Sequence, residues 1–189
     1  YQEYFERMTD RKSWGKPLSA LLGALKMQVE FGLPSIGGKD SMSGTFENIN
    51  VPPMLMAFGI TTVDAGQVIS PELKYEGNKL YLIKHTPLDN HMPNVEQLKA
   101  NWAYVHEQVQ AENIVSGYAL GFGGVAEAIC KMSFGNGLDA KIKYDEKELF
   151  NYGYGSILVE AEEALDYPNA ILIGEVTDGE ESELTINGT

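Results

Sequence analysis

The 189-residue sequence predicts an α+β fold, in which helices and strands are mixed along one chain. Two observations carry this prediction. In some segments apolar residues recur every three or four positions, which is the spacing of one helix face. Between them lie short apolar and β-branched runs bounded by glycine, proline or asparagine, as is typical of strands. Because the two kinds of segment interleave, we expect helices that pack on a mixed sheet.

The first predicted helix covers residues 17–31. Pro17 suits the first turn of a helix, and Gly32 suits its end. Five apolar residues between them fall at helical spacing, and we expect this stripe to be core: Leu18, Leu21, Leu22, Leu25 and Val29.

A short strand is predicted at 33–37, where it would lead into a glycine-rich turn. A longer, largely buried strand is predicted at 54–63, because this segment is rich in apolar and β-branched residues. The polar stretch 70–78 then indicates a domain boundary near residue 75.

From residue 79 onward, predicted strands and helices alternate more regularly. A strand is predicted at 79–84, and a helix at about 94–111 because its apolar residues step by three and four. A strand at 114–118 leads to a second glycine turn and to a helix at about 124–134. Further strands are predicted at 138–143, 156–160, 170–176 and 183–187.

The composition restricts the partners of the protein. A formal net charge of −13 opposes binding to nucleic acids or to anionic membranes, because no basic block compensates the repulsion. No apolar run approaches the length of a membrane span, and the first residues lack the pattern of a secretion signal. The single cysteine excludes an internal disulfide and a multi-thiol metal site. We therefore expect a cytoplasmic globular protein without a nucleic-acid or membrane partner.

The most informative segment is Gly-Gly-Lys-Asp-Ser-Met-Ser-Gly at 37–44. Glycines let backbone N–H groups approach a ligand closely and a lysine adds positive charge, so the segment suits a phosphate group. A plain structural turn is the alternative, because such glycines often only reverse the chain. The candidate phosphate-binding residues here are Gly38, Lys39, Asp40, Ser41 and Ser43. Asp40 is also the candidate ligand for Mg²⁺.

A second glycine turn lies between a predicted strand and a predicted helix. Its candidate phosphate-binding residues are Gly121, Gly123 and Gly124. A helix start presents free N–H groups and the positive end of the helix dipole to an anion. The segment matches neither the dinucleotide fingerprint nor a P-loop. Tight packing of the strand against the helix is the alternative interpretation.

Other reactive side chains give weaker signals. Cys130 has no histidine near it in the sequence and is predicted to be core. His85, His91 and His106 lack the spacing of a zinc pair and are predicted to lie in loops or at the surface. The acidic segment 178–181 is predicted to be a solvated turn, with divalent-ion binding as the alternative.

Three segments together resemble one protein family. The first is Gly-Leu-Pro-Ser-Ile-Gly-Gly-Lys-Asp-Ser-Met-Ser-Gly-Thr-Phe at 32–46, and the second is Val-Pro-Pro at 51–53 with the apolar segment after it. The third is Gly-Gly-Val-Ala-Glu-Ala at 123–128, followed by Phe-Gly-Asn at 134–136. In order and spacing they are similar to the second half of phosphoribosylformylglycinamidine synthase of the long single-chain type, of the aminoimidazole ribonucleotide synthetase-like superfamily.

The resemblance implies a purine-biosynthesis ligase. With ATP and Mg²⁺, such an enzyme converts formylglycinamide ribonucleotide and glutamine-derived ammonia into formylglycinamidine ribonucleotide. Residues 1–75 would be the incomplete end of the second N-domain, and residues 76–189 the second C-domain. The implied partners are the ribonucleotide substrate and the remaining domains of the same polypeptide, including a glutaminase domain. The isolated chain would be inactive, with no catalytic residue of its own.

The resemblance also implies roles for the candidate residues of both glycine turns. Lys39 would contact a phosphate or carboxylate, and Asp40 would orient the ligand or hold Mg²⁺. Ser41 and Ser43 would form hydrogen bonds, and the amides at 123–124 would bind an anion.

The chain departs from the family pattern just before the second turn. Many members carry an Mg²⁺-binding Asp and a nucleotide-contacting Ser where this chain has Ala119 and Gly121. A non-catalytic, architectural half of the synthetase core is therefore one alternative. Another is a sister ATP-dependent synthetase or kinase of the same superfamily. Because the segment 54–63 is long and apolar, we also expect the isolated chain to form a homo-oligomer.

Overall fold

The computed structural model describes residues 1–178 and 185–188, in two compact units, Tyr1–Thr62 and Val63–Thr189. This division falls earlier in the chain than the boundary predicted near residue 75. The reason is that the segment 63–75 folds with the second unit: Leu73 is fully buried there, and its amide donates to the Met132 carbonyl at 2.9 Å.

The first unit contains two small sheets. Strands β1 (Gln2–Tyr4), β2 (Lys39–Ser41) and β5 (Met54–Met56) form one sheet in the order β2-β1-β5. β1 is parallel to β2 and antiparallel to β5. Strands β3 (Thr45–Phe46) and β4 (Ile49–Asn50) form a separate hairpin.

Helix α1 (Arg11–Phe31) begins before the predicted start because of a capping box. The Asp10 side chain accepts from the Ser13 amide at 2.8 Å, and the Ser13 hydroxyl accepts from the Asp10 amide at 3.0 Å. The helix ends at Gly32, as predicted. The prediction that its leucine stripe is core was wrong. The side chains of that stripe are more than half exposed, because the five short strands of this unit leave that face uncovered: Leu18, Leu21, Leu22, Leu25 and Val29.

Two strand predictions in the first unit were also wrong in extent. The segment 33–38 is irregular, and the strand begins only after the glycines, where Lys39 pairs with β1. In the segment 54–63 only Met54–Met56 is a strand. Phe58 and Ile60 in the irregular remainder are 70% and 96% exposed. Apolar character alone did not make these residues core, because no neighbouring strand pairs with them.

The second unit follows the predicted order closely. Its helices are α2 (Val95–Gln110) and α3 (Gly124–Ser133). A six-stranded sheet has the order β11-β8-β10-β6-β9-β7, antiparallel except for the pair β11 and β8. Its strands are β6 (Lys79–Ile83), β7 (Ile114–Ala119), β8 (Asp139–Ile142), β9 (Ile157–Ala161), β10 (Ala170–Thr177) and β11 (Thr185–Ile186). Residues 179–184, which include part of the predicted acidic turn and of the last predicted strand, lie outside the described residues.

The two helices of the second unit cover opposite faces of the sheet. Along β6, Leu80 and Leu82 pack into one apolar cluster with residues of α3, while Tyr81 and Ile83 pack into another with residues of α2. Successive side chains of a strand point to opposite faces, so this alternation defines three layers. Within the described ranges, no helix is long and apolar enough to cross a membrane.

Candidate functional site

The first glycine turn is open. Within the described part of the chain, the amides of Gly37 and Gly38 donate no hydrogen bond to a protein acceptor. A Cβ on Gly38 would lie 2.8 Å from the Tyr1 carbonyl oxygen, so only glycine fits this approach. The turn thus presents two unused donors at a bend that a side chain would disturb, which is the geometry expected of an anion-binding bend.

Lys39 and Asp40 follow the turn and leave opposite faces of the sheet. Lys39 is paired with Gln2 and Asp40 with Glu3. The Lys39 ammonium donates to the Asp40 carbonyl at 3.0 Å and lies 5.9 Å from the centre of the Tyr4 ring, on the face away from Glu3. The structure therefore brings Asp40 next to Glu3 and places the Lys39 charge on the other side.

Ser41 and Ser43 lie farther along the same segment. Ser41 is the last residue of β2, and its carbonyl accepts from the Phe5 amide at 2.8 Å. Ser43 lies in the irregular connection between β2 and β3. The predicted roles of both hydroxyls remain predictions.

A cavity of about 530 Å³ lies beside the turn, and Gly37, Gly38, Lys39 and Asp40 line it. Apolar side chains of α1 and β5 form much of the remaining wall. Glu3 also lines the cavity, although it is only 6% exposed. Its Oε1 atom has no hydrogen-bond partner among the described residues. Sequence reasoning missed Glu3, because a single acidic residue in a short strand carries no motif.

The second glycine turn is closed by the protein itself. Gly124 begins α3 with a φ of +63°, and a Cβ there would lie 2.4 Å from the Asn151 carbonyl oxygen. A Cβ would also lie 2.8 Å from the Leu149 carbonyl oxygen. The loop around 149–151 therefore packs directly on the helix start, which is the geometry of the strand-to-helix packing alternative.

Acceptors of the chain itself already take two amides of this turn, one of them through a carboxylate. The Gly123 amide donates to Glu127 Oε2 at 3.0 Å, and the Gly124 amide to the Gly121 carbonyl at 3.4 Å. Lys131 donates to Glu127 Oε1 at 2.6 Å. The hydrogen bond from Lys131, followed by the one from Gly123, holds the pKa of Glu127 below its usual value. An external anion would have to displace this carboxylate.

The structure supplies no replacement for the missing metal ligand near the second turn. Ala119 ends β7 and is paired with Ile157. In the described ranges, no group of three or more His, Cys, Asp or Glu side chains could hold a metal ion.

His85 lies in the irregular segment after β6, in agreement with the predicted loop position, but it is buried, with 8% exposure. Its Nε2 accepts from the Asn94 amide at 3.1 Å, so the proton is on Nδ1, which lies 2.9 Å from the Tyr154 carbonyl oxygen. His85 therefore ties the start of α2 to the loop before β9. His91 and His106 are exposed, as predicted.

The Tyr144 hydroxyl predicts how the stability of the fold depends on pH. Burial, followed by the hydrogen bond that its hydroxyl donates to Glu148 at 3.1 Å, raises the pKa of Tyr144 to about 12. The unfolded chain has a tyrosine pKa of about 10. The neutral phenol therefore stabilises the fold below pH 10, and this contribution disappears as the pH rises towards 12.

We expect Tyr144→Phe to reduce the loss of stability between about pH 9 and about pH 11 by up to about 1 kcal/mol, since Tyr144 is only partly buried. Urea unfolding at both pH values measures the effect. Tyr152→Phe is the control, because Tyr152 is exposed. Equal losses in the wild type and in Tyr144→Phe would contradict the prediction.

Comparisons with known proteins show which solved structures share this fold. No family model matches the sequence, and no curated protein matches it. Thermotoga maritima PurL complexed with ATP superposes with a TM-score of 0.65 at 12% identity, over 94% of this chain and 33% of that chain. For T. maritima phosphoribosylformylglycinamidine synthase II the TM-score is 0.64 at 10% identity, with the same coverage. E. coli HypE, a hydrogenase maturation protein, gives 0.56 at 13% identity, over 100% of this chain and 70% of that chain.

Other T. maritima PurL structures contain AMPPCP, ADP or FGAR. The chain spans about a third of the length of the PurL chains that it matches. At these identities the likeness shows the fold and leaves the activity to be tested. The chain thus has the mixed α and β fold that is seen in PurL and HypE.

Proposed function

We propose that the chain is part of an ATP-dependent ligase of the phosphoribosylformylglycinamidine synthase type, and that its first glycine turn binds a phosphate group. The supporting sequence evidence is the segment 32–46, with the two further segments that resemble this family. The fold supports the same assignment, since solved PurL structures contain ATP or FGAR. The observation that carries the proposal is the pair of unused amides at Gly37 and Gly38.

In this proposal the turn neutralises phosphate oxygens. The Gly37 and Gly38 amides donate to the phosphate, and the exposed Lys39 ammonium, on the opposite face of β2, adds positive charge close to the turn. Such donors stabilise the negative charge that develops when ATP activates the amide oxygen of the ribonucleotide and ammonia displaces the phosphate. A phosphate held by local donors is compatible with a chain whose net charge is −13.

The test is calorimetric titration of the full polypeptide that carries this chain, with FGAR and with ATP in separate experiments. We expect Lys39→Ala to weaken the binding of one of these ligands several-fold, because a positive charge adjacent to the turn is lost. The control is Lys26→Ala, which removes an exposed lysine of α1 that is paired with Glu30. Unchanged affinities and turnover in Lys39→Ala would overturn the site assignment.

The architectural alternative is favoured by one observation, the closed second turn, where Glu127 takes the Gly123 amide. In that case this half of the core would support a nucleotide or substrate site elsewhere, and neither ligand would bind to the first turn. The titration separates the two readings. A sister synthetase or kinase remains the other alternative, because HypE matches the whole chain; binding of ATP without FGAR would favour it.

The remaining domains, the glutaminase and the cytoplasmic location belong to the same proposal. So does the homo-oligomer expected of the isolated chain. Its apolar residues Phe58 and Ile60 and the leucine stripe of α1 are exposed in the first unit. Light scattering that shows a monomer at high concentration would contradict the oligomer.

A further inference from the structure

We propose that Glu3 and Asp40 form a binding site for a divalent cation, with Mg²⁺ as the physiological ion, in the cavity beside the first glycine turn. This inference rests on the proposed function, because the cation would accompany the phosphate at Gly37 and Gly38. The sequence suggests Asp40 as a metal ligand, and the structure adds Glu3.

The first step is the position of the two carboxyl groups. Glu3 is directly paired with Asp40 across the parallel strands β1 and β2. Neighbouring strands are about 4.8 Å apart, and directly paired residues project to the same face. Both residues line the same cavity of about 530 Å³. The Lys39 ammonium lies on the other face, by the Tyr4 ring, so it does not neutralise this pair.

The second step is that a buried oxygen of Glu3 lacks a partner among the described residues. Glu3 is 6% exposed, and its Oε1 atom receives no hydrogen bond from any described residue. A buried carboxyl oxygen without a donor or a cation is costly, and a second carboxyl group beside it adds repulsion. A cation between the two removes both costs.

The third step is the kind of cation. Mg²⁺ prefers oxygen ligands, and proteins often hold it with one or two carboxylates, several waters and phosphate oxygens of the ligand. Glu3 and Asp40 supply the carboxylates, and no third acidic, histidine or cysteine ligand joins them in the part of the chain that the structure describes. The unused amides of Gly37 and Gly38 line the same cavity and suit the phosphate. The donor set therefore fits a metal–phosphate pair.

The experiment uses Mn²⁺ as the probe and electron paramagnetic resonance to count free Mn²⁺, in the absence of nucleotide. We expect Glu3→Gln and Asp40→Asn each to weaken Mn²⁺ binding about 10-fold or more. Glu30→Gln is the matched control for non-specific binding to this acidic protein, because Glu30 is paired with Lys26 on α1. Asp40 is exposed, so Asp40→Asn tests the site even if Glu3→Gln disturbs folding.

The outcomes separate the two proposals. Mn²⁺ binding that depends on Glu3 and Asp40, without any binding of FGAR or ATP, would support the cation site and overturn the proposed function. Binding of a nucleotide with equal Mn²⁺ affinity in the wild type and in both variants would overturn the cation site alone. Absence of Mn²⁺ binding to the wild type, or equal loss in Glu30→Gln, would also overturn the cation site.

Discussion

Glu160→Ala is expected to lower the free energy of unfolding by about 3 kcal/mol, because it empties a fully buried site and leaves three donors of part-buried hydrogen bonds without their acceptor. Glu160 lies in the central sheet of the second unit and is fully buried. Its Oε2 accepts from the Lys74 amide at 2.8 Å. Its Oε1 accepts from the Tyr75 amide at 3.0 Å and from the Asn78 side chain at 2.8 Å. This carboxylate therefore fastens the segment before β6 to β9.

Urea unfolding measures the loss, with Glu162→Ala as the control. Glu162 is exposed two residues later and should change stability by less than about 0.5 kcal/mol. Glu160→Gln should cost about half as much as Glu160→Ala, because its amide oxygen keeps the contacts to Tyr75 and Asn78 while its NH₂ group meets the Lys74 donor. If Glu160→Ala were as stable as Glu162→Ala, the three hydrogen bonds that Glu160 accepts would contribute nothing to the stability of the fold.

Gly124→Ala is expected to cost about 3 kcal/mol. A left-handed φ of +63° disfavours any Cβ by roughly 1 kcal/mol or more. The added methyl group would also lie 2.4 and 2.8 Å from two backbone carbonyl oxygens, which cannot rotate away as a side chain could. Relieving that overlap costs a further 1–3 kcal/mol, roughly, because the loop must move off the start of α3.

Gly137→Ala is the matched control in the same unit. Gly137 has a φ of +67°, and its Cβ would meet no atom within 4 Å. Its substitution should therefore cost only the conformational part, about 1 kcal/mol. The difference in unfolding free energy between the two variants isolates the close packing at the second glycine turn. Equal values would show that the turn can open, and this would return it to the candidate anion sites.

The second unit shows how much of the secondary structure can be predicted from the sequence. Its helices and strands could be predicted because apolar periodicity, asparagine and glycine boundaries act within a few residues of one another. The starts of α2 and α3 lie within a residue of their predictions. The exposure of the leucine stripe of α1 could not be predicted in this way. Burial depends on whether another element covers a helix face, and a sequence pattern records the face without its partner.

The candidate site also has features that the local sequence determines and features that only tertiary contacts determine. The sequence by itself determined the glycine-rich segments, the placement of Lys39 and Asp40 directly after one of them, and the strongly acidic charge, because these are local and compositional properties. Only the tertiary structure decided that the amides of one turn are unused while Glu127 takes the Gly123 amide of the other. It also decided that Glu3 lies beside Asp40, although 36 positions separate them along the chain. The physical reason is that strand pairing and loop packing join distant residues, and these contacts determine which donors and carboxylates are satisfied before a ligand arrives.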